Sequence, residues 1–202
     1  MASSCLAESP AVERWADLLV CEHLALNAVQ RLLNIAAAQT RIRKIADRTF
    51  LEVVRFDRTG EFGRSAVCTL QSLNTALLGA ASTSWNKVAL QLHREGFISG
   101  ADAHTIELIW WFGRLIANTD MHEGNLAFRP GLTVAPVYDM LPMFYAPARG
   151  GEVAPKTFSP QLPLPPERGA WAQAAAAAVE YWAGCAGDVR ISAACDNHSG
   201  RW

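Results

Sequence analysis

From residue 103 to residue 117 the chain is apolar around nearly the whole circumference of a helix, with Ile106, Leu108, Ile109, Trp110, Trp111, Phe112, Leu115 and Ile116. Such a helix has no side to give to water, so it belongs at the centre of a packed domain. Asp102 supplies an N-cap in front of it. A polar stretch, Asn118 to Asn125, follows at once. Leu126–Phe128 and Leu132–Val134 then flank Arg129-Pro130-Gly131. Pro followed by Gly fits the middle of a type II turn, so the spacing predicts a short β-hairpin over 126–134.

The other elements arrange themselves around that helix. Trp15, Leu18, Leu19, Leu26, Val29 and Leu33 recur at helical spacing and predict a helix from residue 11 or 12 to 35, with Glu22 in the middle of its apolar stripe. Residues 47–58 read as a strand built on Phe50-Leu51-Glu52-Val53-Val54-Arg55-Phe56, closed by Asp57, Arg58, Thr59 and Gly60. Residues 69–79 and 85–96 read as two helices, 141–168 as a Pro- and Gly-rich loop, and 167–184 as a last helix with Trp171, Ala175, Ala178 and Trp182 along one side. The expected organisation is a flexible terminus over 1–10, one domain over 11–188 and an unpatterned tail over 189–202.

Composition narrows the function classes. The chain has 202 residues, half of them hydrophobic, and a net charge of −1. That describes a globular domain and advertises neither a nucleic-acid surface nor a membrane face. The five cysteines are scattered, with no Cys-x-x-Cys pair, and read as inert thiols in a reducing cytoplasm. No secretory leader and no apolar run of about 18 residues is visible, so no membrane span is expected.

The chemistry is concentrated in Asn118-Thr119-Asp120-Met121-His122-Glu123-Gly124-Asn125 and in Val137-Tyr138-Asp139-Met140. Phosphoryl transfer needs a carboxylate to orient the attacking hydroxyl and oxygen ligands to hold Mg²⁺ against the phosphates. Asp120 can serve the first need, Asn125 and Asp139 the second. Asp120 and Asn125 have the Asp-x-x-x-x-Asn spacing of a kinase catalytic loop, and the hairpin returns Asp139 towards them. Each piece alone is ordinary turn chemistry; the order of buried helix, polar loop, hairpin and Asp gives the set its meaning.

The segment from Leu115 to Phe128, continued by Ala135-Pro136-Val137-Tyr138-Asp139-Met140-Leu141-Pro142, resembles the C-terminal lobe of HipA-like serine/threonine kinases. Val53-Val54-Arg55-Phe56-Asp57-Arg58 resembles that family's strand into the interlobe hinge, and Glu22 stands where the family has an acidic residue in an early helix. The resemblance implies a mainly α kinase-like lobe with the hairpin at its catalytic site. It implies Asp120 as catalytic base, with His122 shaping the loop beside it. It also implies Asn125 and Asp139 as Mg²⁺ ligands, and Arg55, Phe56 and Asp57 beside the base and ribose of ATP. The implied partners are a protein substrate with Ser or Thr and an antitoxin-like protein, with no direct nucleic-acid or membrane contact.

The chain departs from the family upstream. No glycine precedes Val53, and the only lysine there is Lys44, in Arg41-Ile42-Arg43-Lys44, which reads as an exposed strand charge. A phosphate-covering loop and a phosphate lysine are both lacking, so the expectation is that the N-terminal β lobe is missing or supplied by a separate chain. ATP and Mg²⁺ are then expected to bind weakly, with weak or no activity alone. Glu22 is expected either to face that lobe unpaired or to pair with Arg43 or Arg55. Two other functions compete: a non-catalytic kinase-like interaction module, and a metal-dependent phosphohydrolase using Asp120, His122 and Asp139. Asn125 and the scattered remaining histidines count against the hydrolase.

Overall fold

A computed structural model describes residues 10–192. The expectations for residues 1–9, and for the tail from 193 onward that includes Cys195 to Trp202, fall outside the described residues.

The first helix, α1, runs over Pro10–Leu32, with Glu13 in its first turn and Arg31 in its last, both matched to the helix dipole. Its buried face is Leu18, Cys21, Ala25, Leu26 and Val29, and it also carries Arg14 and Asp17 inward. Trp15 is 43% exposed, so the expected stripe is rotated by about one position: charged residues occupy part of the inner face. Asp17 is held there by the backbone N–H and hydroxyl of Ser192, at 2.8 and 2.6 Å.

β1 (Thr40–Ile45) and β2 (Arg48–Val53) form an antiparallel hairpin in which Ile45 faces Arg48. Ala46 and Asp47 both adopt positive φ, 47° and 62°, the two-residue turn that matches strand twist. The expected strand over 47–58 is therefore only the second half of a hairpin and ends at Val53. Its partner is the Arg-rich run, and Lys44 lies exposed on it. β3 (Arg58–Thr59) and β4 (Gly63–Arg64) make a second small hairpin. β5 (Cys68–Thr69), β6 (Ala127–Arg129) and β7 (Thr133–Val134) make a three-stranded antiparallel sheet in that order. The turn between β6 and β7 is the expected one: Leu132 N–H bonds Arg129 O at 3.0 Å, with Gly131 at φ +85°.

α2 (Leu70–Leu73) is capped by Thr69, whose hydroxyl accepts the Ser72 N–H, and widens into a π turn over Asn74–Leu78 that Gly79 closes. α3 covers Trp85–Arg94 and α4 Gly100–Leu115. The N-cap of α4 is Ser99, not Asp102: Ser99 Oγ accepts the Asp102 N–H, while Asp102 Oδ1 accepts the Val134 N–H and so ties the helix start to β7. α5 spans Arg168–Ala186, after a segment whose only regular structure is two short 3₁₀ turns.

α4 is the central helix. Ile106, Ile109 and Phe112 are fully buried, and α3 and α5 pack against it. Burying side chains of that size stabilises by about 1.5–3 kcal/mol each. Phe112 meets Tyr181 edge-on at 6.0 Å, and Trp182 Nε1 donates to Leu115 O. The inner face of α5 is Ala170, Ala174, Ala177, Tyr181 and Cys185; Trp171 and Trp182 flank it. Small alanines win the centre because they let the two helices approach closely. The expected mainly α class needs correcting: five α-helices share the described residues with seven short strands in three small sheets, a mixed fold. The sequence reading caught β2 and the β6–β7 hairpin; β3, β4 and β5 escaped it because at two residues each they are too short for an alternating pattern to register. Among the described residues no helix is long and apolar enough to cross a membrane.

Candidate active site

The site begins where α4 stops. Ile116 caps the helix, Ala117 turns the chain at φ +60°, and the Asn118 N–H reaches back to Gly113 O at 2.9 Å. This is a six-to-one helix termination normally made with glycine. Ala117 is fully buried and carries the left-handed strain. The turn points Asn118 into the protein, where it is 2% exposed. Its Oδ1 accepts the Asp120 N–H at 3.0 Å, and its Nδ2 donates to Asp139 O at 3.3 Å. One buried amide thus joins the loop that carries Asp120 to the peptide that carries Asp139.

The loop is closed by its own groups. Asn125 Nδ2 donates to Asp120 O at 2.9 Å, which leaves the amide oxygen of Asn125 as the group for an outside partner. His122 Nδ1 accepts the Gly124 N–H at 3.1 Å, placing the ring proton on Nε2 in the neutral form. A Cβ at Gly124 would sit 2.9 Å from that ring, so any larger residue there would push the His122 ring aside. Glu123, 3% exposed, accepts from Asn74 Nδ2 and from the Thr83 N–H. Trp85 Nε1 donates to His122 O, and the Tyr138 hydroxyl donates to Gly124 O, both at 3.0 Å.

Asp139 sits at φ +56°, a strained value for a residue with a side chain. Burial raises its pKa first, the charge of Asp120 raises it further, and His122 acts in the opposite sense. The charge of Asp120 is thus felt at the Asp139 carboxyl. Glu22 joins them. Its carboxyl is pushed up to about 7 by burial and then by the charge of Asp139, against a lowering hydrogen bond from the Asp139 backbone. Pairing of Glu22 with Arg43 or Arg55 is not what the structure contains: Arg43 holds Glu52 at 2.9 Å, and Arg55 holds Asp57 in a two-bond pair at 2.8 and 2.6 Å.

Of the hinge residues, Phe56 reaches the site, its ring 5.8 Å from that of Tyr138. Arg55 and Asp57 are engaged with each other, and that hydrogen bond pulls the Asp57 carboxyl down. Among the described residues no three His, Cys, Asp or Glu side chains make a ready cation cage. Mg²⁺ does not need one: it takes one or two carboxylates and completes its shell with water and phosphate oxygens. Asp120 and Asp139, whose backbones Asn118 ties together, and the amide oxygen of Asn125 are donors of that kind. A cleft of about 570 Å³ lies elsewhere, between α1, the β1–β2 hairpin and residues 189–192; neither Asp120 nor Asp139 lines it.

Residues 3–190 match the HipA-like C-terminal domain family. The chain belongs to that family. A curated relative, Toxin YjjJ of Escherichia coli (strain K12), is 36% identical over 186 residues, which is 90% of this chain and 42% of the relative. The chain thus spans less than half the length of that relative. Among solved structures it resembles HipA in the Shewanella oneidensis MR-1 complex of HipA, HipB and operator DNA, with a TM-score of 0.51 and 21% identity over 62% of this chain and 35% of that one. A further neighbour is the Helicobacter pylori proinflammatory kinase CtkA, with a TM-score of 0.48 and 18% identity over 64% and 47% of the two chains. The HipA likeness is one of fold.

The sequence reading missed three participants: Asn118 as the link between the two loops, Glu123 as a buried anchor, and Asp139 as the neighbour of Glu22. Only Glu22 left a signal, a carboxylate in an apolar helix stripe.

Proposed function

We propose that this HipA-like domain is the catalytic half of an ATP- and Mg²⁺-dependent serine/threonine protein kinase. The observation that carries the reading is the junction of Asp120, Asn125 and Asp139 through Asn118 and the Asp120–Asn125 loop bond. Asp120 would accept the proton of a substrate hydroxyl as it attacks phosphorus. Asn125 and Asp139 would hold Mg²⁺, which when bound offsets the negative charge of the phosphates. His122 shapes the loop, and Phe56, on the hinge segment with Arg55 and Asp57, would contact the nucleotide base.

Catalysis of this kind is positioning and electrostatic stabilisation, and these residues grip the reacting centre from one side. A phosphate-covering loop and lysine would have to come from other polypeptide. Phe50, Val53 and Val54 are 48, 41 and 57% exposed on and just beyond the β1–β2 hairpin, and they support the docking of such a segment. A partner of antitoxin type fits the company that the HipA structure keeps. The 202-residue chain alone would then bind ATP–Mg²⁺ weakly and turn over slowly.

The test is ATP-dependent phosphorylation of added protein by the purified chain, with and without Mg²⁺, beside Asp120→Asn. Slow, Mg²⁺-dependent transfer that vanishes in the variant supports the reading. Transfer indifferent to Asp120 or to Mg²⁺ overturns it. Micromolar ATP affinity with full turnover would show that the domain suffices and that no complementing segment is needed.

A further inference from the structure

We infer that Glu123 is a positioning residue, a buried strut that fixes Asp120 and Asn125 against the π turn and the start of α3. The inference rests on the kinase reading for its functional meaning and on geometry for its substance.

Glu123 lies between Asp120 and Asn125 in sequence but faces the other way. It is 3% exposed, on the 3₁₀ turn Glu123–Asn125. One carboxylate oxygen accepts the Thr83 N–H at 2.8 Å and the other accepts Asn74 Nδ2 at 3.0 Å. An apolar side chain would fill such a site without the desolvation cost of a carboxylate. What a carboxylate adds is two short, directional, charge-assisted bonds to two separate elements. Those elements are irregular: Asn74 opens the π turn, and Thr83 lies in the loop from Gly79 into α3. π turns are frequent where a helix has been bent to serve a site.

The neighbouring grip is independent. Trp85 Nε1 donates to His122 O, so residues 83 and 85 hold two successive residues of the loop. On the loop's other side the Asn125 side chain returns to Asp120 O. A shift of Glu123 must therefore move Asp120 and Asn125 together. Asn74 Oδ1 is buried with no partner among the described residues, so the amide is turned to serve the carboxylate rather than itself.

That unpartnered oxygen provides a discriminating variant. In Glu123→Gln the new amide can still accept the Thr83 N–H, and its NH₂ can donate to Asn74 Oδ1 once that amide turns over. Glu123→Ala and Asn74→Ala cannot make the bond. Hydrogen exchange on the full chain should show residues 118–126 opening at least about tenfold more readily in both alanine variants, with α4 unchanged and Glu123→Gln near wild type. In the phosphoryl-transfer assay Glu123→Ala should lower kcat by roughly a hundredfold while KM for ATP stays within about twofold, since the residue faces away from the site. Exchange that rises equally across α4 would reduce Glu123 to a general stability residue and overturn the inference. Unchanged loop exchange would overturn it too, as would a Glu123→Gln variant as impaired as Glu123→Ala. If the wild-type chain transfers no phosphoryl group, the kinase reading fails while the exchange measurement still decides the strut.

Discussion

Glu22 of α1 and Asp139 of the loop after β7 form a pair of acids, with the backbone of Asp139 hydrogen-bonded to the Glu22 carboxyl and its charge pressing against it. Glu22 titrates near 4.5 in an unfolded chain and at about 7 here. Between those values the folded state holds a proton that the unfolded state has released. The contribution to stability is therefore complete below about pH 4.5 and is lost as pH rises through 7, at most about 3 kcal/mol before solvent screening. Urea denaturation from about pH 5 to 8 should show stability falling in the wild type and a flatter profile in Glu22→Gln. A variant whose profile parallels the wild type would remove Glu22 as the cause.

Burial, and after it the repulsion of the Asp120 charge, raises the Asp139 carboxyl. A divalent cation should relieve that repulsion and bind the folded state only. Saturating Mg²⁺ or Mn²⁺ is expected to raise Tm by several degrees, equivalent to about 2–3 kcal/mol at a hundred times Kd. Asp139→Asn should lose the shift while unfolding no earlier than the wild type in the absence of metal. A cation effect that survives Asp139→Asn places the cation elsewhere.

Asn118→Ala should cost about 2–3 kcal/mol, because it leaves the Asp120 N–H and the Asp139 carbonyl without their buried partner. Chemical denaturation measures the loss. Since the same amide joins both loops, the cation-induced rise in Tm should shrink along with stability. A destabilised Asn118→Ala that keeps the full cation response would show the loops to be held independently.

Gly124→Ala sets a methyl group 2.9 Å from the His122 ring, so the ring must leave its bond to the residue 124 N–H. The stability cost should be modest, on the order of 1 kcal/mol, because His122 is exposed and can swing out. Transfer activity should fall much further, because Asn125 and Asp120 flank the disturbed turn. Equal losses in activity and stability would deny His122 its shaping role.

Much of this arrangement was legible before any coordinates. α4 announced itself because a helix apolar on all sides has one place to go, and residues 103–117 found that place between α3 and α5. The β6–β7 turn was legible because Pro130-Gly131 fits few other backbones. Asp120, Asn125 and Asp139 were legible as residue types at a spacing. The loop bond between Asn125 and Asp120 follows from local chain geometry.

What the sequence by itself determined, then, is whatever depends on neighbours in the chain: the central helix, the turn, the loop with its Asp and Asn, and membership of a family whose pattern is written in one short segment. Tertiary structure alone decided the pairings across distance. Glu22 and Asp139 are 117 positions apart, Asn74 and Glu123 are 49 apart, and Asp17 and Ser192 are 175 apart. No periodicity encodes which buried carboxylate meets which donor, because that choice is made when helices pack and every desolvated charge must find a partner or a proton. Asp139 needed the fold most of all. Its left-handed backbone and its two acidic neighbours arise only once α1, the end of α4 and the loop after β7 close on one another.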